Sequence, residues 1–468
     1  MPEKGFFMPE PVTLSRSASR LQALAATSIG YVIVQLDISV ANVALPHIAL
    51  QLRASTADLQ WVIDAYSLVF ASMLLAAGSC ADRFGCRRVY AAGLILFCLA
   101  SAACGMATSA AALIAFRALQ GVGGALIFPA SLALLNHAYR TEEVARVRAI
   151  GWWSTSGAFA VAAGPVIGGL LVLYSGWRSV FLINIPLCSL ALWLLLTRTQ
   201  ETPVSRRGTP DVKGLVLAGA ALLLLTSGLI EAGRYGWTHP FVLSGLVLAI
   251  LTGTVFIRVQ KKAVAPLLPP GLFRLKGFSG AALVSGTISL TFFGLVFFLS
   301  LFFQNGMEYS SWQTGLAFLP LTGAIMGGKI LGNHLAFRRG TTWPVNIGLI
   351  LAGAGNVFLL LVTTGISTPY ALLAPGLLLI SLGNGLASSV IMASGLSDVP
   401  EHLSGTASAV LTTARQTGGV IGVALFGSFL AEGTQYTTSA RAVFLLSAVL
   451  LLAVAAVTTK SRRGKTAM

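Results

Sequence analysis

The chain runs to 468 residues, 55% hydrophobic and only 10% charged, with a mean hydropathy of +0.82 and a formal net charge of +16. Apolar stretches of about twenty residues recur from end to end, more than a soluble core absorbs, so the bilayer is the expected solvent for most of the chain. In hydrocarbon only helices or closed barrels satisfy their own backbones, and near-unbroken apolar runs at 215–230 and 443–457 exclude the alternating pattern of barrel strands.

The predicted fold is therefore all-α and polytopic. In chain order, apolar runs between turn and charge clusters give spans near 21–45, 58–79, 88–107, 110–135, 148–173, 178–197, 214–232, 240–257, 278–303, 313–334, 344–364, 370–394, 404–430 and 441–459. That makes 14 transmembrane helices, the first too long and too far from Met1 for a cleaved signal peptide. With both termini cytoplasmic, 24 of the 31 Lys and Arg residues fall on the inner side, four (Arg53, Arg178, Arg234, Arg441) fall outside, and Arg117, Lys329 and Arg415 lie within spans. This is the positive-inside pattern, so the basic excess is topological and implies no nucleic acid. Pro-rich basic stretches at 197–213 and 259–278 bracket spans seven and eight. They divide the chain into a cytoplasmic tail (1–20), an N-terminal six-helix bundle (21–197), a linker region with two inserted helices (198–276), a C-terminal six-helix bundle (277–459) and a second tail (460–468). A pathway is expected between the two bundles.

Common chemistries find no support. Cys80, Cys86, Cys98, Cys104 and Cys188 lack CxxC spacing and mostly fall in apolar segments, so neither disulfides nor a metal are expected. The five histidines are scattered. "GAIMGGKI" (323–330) has the glycines and lysine of a phosphate loop, but Ile330 replaces the Ser or Thr that binds magnesium, so ATP is not implied. No cofactor is expected.

A charged side chain in a bilayer costs roughly 2.5–3.5 kcal/mol on insertion scales, so each one needs a reason. In "QLDISVANVALP" (35–46), Asp37 lies roughly 12 Å below the outer end of span one. Arg117, in "LIAFRALQGVGGALIFPA" (113–130), lies about 10 Å below the outer start of span four, and Asp64, in "WVIDAYSLVF" (61–70), roughly 9 Å down span two. These depths predict that all three face one cavity, where Asp37 and Asp64 take up protons under the influence of Arg117. The alternative is a structural Asp–Arg pair, which accounts for one carboxylate and leaves the other over. Arg117, Gln120, Gly121 and Gly124 share a face at i, i+3, i+4 and i+7. Trp61, Asp64 and Ser67 share another, an aromatic wall with a negative charge, unless Trp61 is only an interfacial anchor. Asn42, Trp61, Ser67 and Gln120 are the expected cavity residues, and the carboxylates, with no acid in span ten, favour neutral or monovalent cationic cargo. Arg415, in "TTARQTGGVIG", either contacts cargo or serves a helix end or lipid headgroup.

"GSCADRFGCRR" (78–88) sets glycines, an acid and arginines in a short cytoplasmic turn, where Asp82 is expected to cap a facing helix or pair with an arginine and so hold an inner gate. "GAFAVAAGPVIGG" (157–169) places small residues on one stripe around Pro165, allowing close crossing and a kink. In this order and placement the motifs resemble the major facilitator superfamily, specifically its fourteen-span drug:proton antiporter branch. Gly78, Asp82, Arg83, Gly85 and Arg87 resemble the loop motif between spans two and three, with Cys80 and Cys86 in place of an apolar and a basic residue. Arg117, Gln120 and Gly121 are similar to the span-four motif that the family associates with proton coupling. Gly164, Pro165, Gly168 and Gly169 resemble the antiporter motif of span five, with Ala160 for its leading glycine; "LDISVANVALP" and "GWRSVFLINIP" (176–186) also resemble motifs of this branch. The resemblance implies a multi-pass plasma-membrane exporter, driven by the proton gradient and moving amphiphilic drugs, antibiotics or related metabolites by alternating access. Its expected partners are the lipid bilayer, small amphiphilic substrates and protons, and it is expected to act as a monomer. The alternatives are an uptake symporter of the same fold and a membrane-embedded enzyme, for which no nucleophile with a nearby base is found.

Overall fold

A computed structural model of the chain describes residues 12–199, 201, 211–263, 266–366, 368–400, 403–430 and 435–463. Within the expected tails, 12–20 and 460–463 are helical, and the rest lies outside the described residues. Every regular element described is helical. The first group comprises α1 (Val12–Leu52), α2 (Thr56–Phe84), α3 (Cys86–Gly105), α4 (Ala110–Ala138), α5 (Glu143–Ser175), α6 (Ser179–Leu182) and α7 (Asn184–Arg198). Then come α8 (Val212–Tyr235) and α9 (Pro240–Lys262), and a second group follows: α10 (Lys276–Leu301), α11 (Ser311–Ala317), α12 (Leu319–Arg339), α13 (Thr342–Val362), α14 (Tyr370–Leu396), α15 (Ser404–Gly427) and α16 (Tyr436–Arg463).

Among the described residues, thirteen helical segments are long and apolar enough to cross a membrane. The remaining expected span, 58–79, falls within α2, whose 29 residues cover about 43 Å and suffice for a hydrocarbon core of about 30 Å. The ends of α2 follow from its sequence. Ser55 and Asp58 form a reciprocal capping box, with Ser55 Oγ accepting from the Asp58 amide at 3.2 Å and Asp58 Oδ2 accepting from the Ser55 amide at 2.8 Å. At the other end Gly85 adopts φ +95°, a left-handed conformation that glycine takes without strain, and the chain reverses at once into α3.

The two ends of the molecule are named here by these turns, the Arg53 end and the Gly85 end. At the Arg53 end the two groups of helices are bonded together at kinks made by proline. Pro46 has no amide hydrogen, so the Asn42 carbonyl loses its helical donor; Ser300 Oγ of α10 donates to it at 2.5 Å, and Gln304 Nε2 donates to the neighbouring Val43 carbonyl at 3.1 Å. Pro165 frees the Val161 carbonyl in the same way, and Ser39 Oγ of α1 replaces the donor at 2.8 Å. Thr322 Oγ1 of α12 reaches the adjacent Ala162 carbonyl at 3.1 Å. Gln60 of α2 donates to the Ala424 carbonyl of α15 at 2.8 Å. At the Gly85 end, by contrast, the bonds of Arg87 stay inside the first group, with Nη2 donating to the Leu196 carbonyl of α7 at 2.9 Å.

The inserted helices lie beside the seam between α2 and α15. Leu222 of α8 packs with Leu68, Ala71 and Val420, and Ile230 packs with Ala424 and Trp61. The far side of α9 is apolar and bare, with Leu243, Val247, Leu248, Ile250 and Leu251 between 49% and 69% exposed, as a lipid-facing helix requires.

Candidate functional site

Asp37 and Arg117 form an ion pair in the interior of the first group, 2% and 1% exposed respectively. Such a pair survives burial only where its remaining hydrogen-bonding capacity is also met. Here it is met by neighbours from four helices. Asp37 Oδ1 accepts from Gln120 Nε2 and Asn184 Nδ2, both at 2.9 Å. Arg117 Nη1 also donates to Gln120 Oε1 at 2.7 Å, and Nε donates to the Val62 carbonyl at 2.9 Å. Ser101 Oγ accepts from both Gln120 and Asn184, at 2.6 and 3.2 Å. The guanidinium lies 4.4 Å from the ring centre of Tyr66 and 5.7 Å from that of Phe181. The i, i+3 spacing of Arg117 and Gln120 puts both on this face, while Gly121 and Gly124 of the same stripe lie against Tyr66, letting α4 approach α2 closely.

Asp64 stands outside this network. It is fully buried, yet neither carboxylate oxygen has a hydrogen-bond partner. The expected single cavity shared by Asp37, Asp64 and Arg117 is therefore not found: depth along a helix is readable from spacing, but the direction around it differs for the two acids. Asp64 follows Gln60 by four residues and precedes Leu68 by four, and both of those face α15. Its side chain belongs to the α2–α15 seam. Thr226, on the α8 face that covers this seam, is also fully buried with an unpartnered hydroxyl.

The expected cavity residues separate. Gln120 sits in the Asp37 network, and Asn42 donates to the Ile38 carbonyl of its own helix while its backbone helps seal the Arg53 end. Trp61 is partly buried and packs among Leu68, Val420, Ile230 and Ala424 between α2, α8 and α15. Ser67 is partly exposed and joins neither cluster. In the turn motif, Glu201 Oε1 accepts from the Arg87 amide at the start of α3 at 2.9 Å. The side chain of Asp82 lies outside the described residues. A Cβ at Gly85 would meet the Glu201 carboxyl at 2.7 Å, Gly78 faces open space, and Arg83 lies over Phe84, 5.7 Å from its ring centre. In the span-five motif, side chains at Gly164 and Gly168 would strike Ser39 and Val40 of α1, and one at Gly169 would meet the Ser311 carbonyl of α11 at 2.7 Å. The stripe is thus a contact surface on two sides, toward α1 and toward the second group.

Sequence reasoning missed Asn184 and Ser101, which complete the Asp37 network, and Ser300 and Gln304, which complete the seal. A mid-span proline was the available signal for the latter, since each such proline frees a carbonyl that some other side chain must satisfy.

Comparison with known proteins agrees with this geometry. The chain is 33% identical to the methylenomycin A resistance protein of Bacillus subtilis, over 94% of each chain. It is 35% identical to the tetracenomycin C resistance and export protein of Streptomyces glaucescens, over 87% of this chain and 76% of that one. The fold matches the crystal structure of a bacterial homologue of the human lysosomal transporter Spinster in an inward-facing, unoccupied conformation, with a TM-score of 0.68 at 17% identity, covering 97% and 98% of the two chains. With the family model matched over residues 27–423, the chain belongs to the Major Facilitator Superfamily.

Proposed function

We propose that this protein exports small amphiphilic molecules in exchange for protons, acting as a monomer in the plasma membrane with both termini cytoplasmic and the Arg53 end outside. Relatives that confer antibiotic resistance or export their antibiotic support the direction of transport. The basic residues concentrated toward the Gly85 end support the orientation.

The observation that carries the coupling scheme is the unpartnered Asp64 carboxyl on the α2–α15 seam. With the Arg53 end sealed, that seam is closed and dry. Adding a proton to Asp64 breaks no hydrogen bond, whereas adding one to Asp37 competes with Arg117, Gln120 and Asn184. Opening the seam outward admits water to Asp64, which loads a proton; the neutral acid permits closure, and release toward the cytoplasm resets the cycle. The Asp37–Arg117 network holds α1, α4 and α7 as one rigid piece that moves in this exchange.

Purified protein in proteoliposomes, with an imposed pH gradient and tetracenomycin C as cargo, tests the scheme. Cargo should move uphill against the proton flux in wild type, and Asp64→Asn should abolish uphill movement while leaving the protein monodisperse. Gradient-driven accumulation that persists in Asp64→Asn overturns it, and cargo moving in the same direction as protons indicates a symporter.

A further inference from the structure

Two cations are held at mid-membrane depth where the second group offers nothing to neutralise them. Lys329 and Arg415 sit in α12 and α15, and no acidic residue lies in any of the six expected C-terminal spans. Neither forms an ion pair among the described residues. They are close enough to repel one another, and each keeps part of its surface exposed.

Both face the space between the two groups of helices. Lys329 follows Thr322 by two helical turns, and Thr322 bonds the Ala162 carbonyl of α5, so Lys329 projects on the side turned toward the first group. Arg415 lies within electrostatic reach of the Tyr31 hydroxyl on α1. Tyr31 in turn stacks on Trp153 with ring centres 4.0 Å apart and meets Phe128 edge-on at 5.4 Å. Tyr31 is eleven residues, about 16 Å, from the Asn42 seal toward the Gly85 end, which places the group near the bilayer centre.

We infer that Lys329 and Arg415, with the Tyr31 hydroxyl beside them, form a receptor for a carboxylate on an amphiphilic cargo, whose ring system lies against the Tyr31–Trp153–Phe128 aromatic wall. A guanidinium grips a carboxylate through paired hydrogen bonds, an ammonium adds a point charge, and the intramembrane cations gain the counter-charge that the fold omits. The expectation of neutral or cationic cargo is thereby reversed: Asp37 is engaged by Arg117, and the space between the groups presents positive charge. This rests on the export reading for its physiological meaning, but its test does not require transport.

Purified full-length protein in phosphatidylcholine nanodiscs is titrated with 1-pyrenebutyrate, its amide, and a pyrene bearing trimethylammonium in place of the carboxylate, followed by energy transfer from tryptophan. The carboxylate should bind at least about tenfold more tightly than the other two, the worth of one charge-assisted contact. That preference should vanish in Lys329→Gln/Arg415→Gln and return when Lys329→Arg is made alone, with binding of the amide confirming that each variant is folded. Equal or stronger binding of the cation, or a carboxylate preference that survives in the double variant, overturns the inference. So does competition by phosphatidylglycerol as effective as that of pyrenebutyrate, because the cations then hold a lipid headgroup. Failure of proton-driven transport leaves these binding ratios intact, so the two readings fall separately.

Discussion

Asp37→Asn is expected to destabilise the protein by about 3 kcal/mol, whereas Asp64→Asn changes stability by less than about 1 kcal/mol. Removing one member of a buried ion pair leaves the other charge uncompensated, which costs about 3–5 kcal/mol. The lower end applies here because Arg117 keeps the Gln120 and Val62 oxygens at 2.7 and 2.9 Å and the Tyr66 ring at 4.4 Å. Asp64 has no partner to lose. Reversible SDS unfolding in bicelles, followed by tryptophan fluorescence, measures both: a 3 kcal/mol loss is about a hundredfold in the unfolding equilibrium. Arg117→Gln combined with Asp37→Asn should recover about 2 kcal/mol relative to the sum of the single changes, since neither charge is then left alone. Asp37→Asn with wild-type stability, or additive effects in the double variant, would show that the pair is not the buried anchor described above.

The seal at the Arg53 end makes its own prediction. Ser300→Ala/Gln304→Ala orphans the Asn42 carbonyl and removes both bonds from α10 to α1, and spin labels at Leu50 and Glu308 should report an open population raised on the order of tenfold; an unchanged distance distribution refutes the role of these bonds. Asp211 lies outside the spans, N-caps α8 and accepts from Gln260 of α9 at 2.5 Å. Burial raises its carboxyl pKa, but the bonds from Gln260, Gly214 and Leu267 and the nearby Lys213 outweigh this and hold it below the ordinary aspartate value. A lowered folded-state pKa gives stability that is present above the unfolded value and lost as pH falls through the folded one. Protection of the Gly214 and Leu215 amides, relative to their intrinsic exchange at each pH, should therefore hold at neutral pH and fall only below about pH 4, while Asp211→Ala, losing a cap worth about 1 kcal/mol, lowers it already at neutral pH.

The spans and the division of basic residues were legible because both are one-dimensional: a run of apolar residues and the side of its flanking charges need no knowledge of neighbours. Arg117 and Gln120 were found by their spacing on one helix, and matched depth set Asp37 at their level, with its pairing to Arg117 held as the alternative to a shared cavity. What spacing cannot supply is azimuth across helices, which is why Asp64 was grouped with Asp37 although Gln60 and Leu68 turn it toward α15. Asn184 escaped notice for the same reason: its partner is on α1, and nothing within α7 marks the direction. Glu201 was not legible as a cap because a helix start needs an acceptor beside it in space, and only the chain returning from α7 brings this one there.

The two acids then divide the work that sequence alone assigned to them jointly. A carboxylate bound by an arginine, a glutamine and an asparagine ties three helices to one another. A proton carrier needs the opposite: a site whose access to water changes with conformation and whose neutral form leaves no broken bond. In the proposed cycle Asp64 meets both conditions, because the surface that buries it would be the one that separates if the Arg53 end opens. Placing α8 over that seam, with Leu222 and Ile230 against it, closes its lipid side, so that water enters only when the two groups part. In the proposed scheme the inserted helices are then more than a linker: they would insulate Asp64, and shortening α8 should permit proton leakage without cargo.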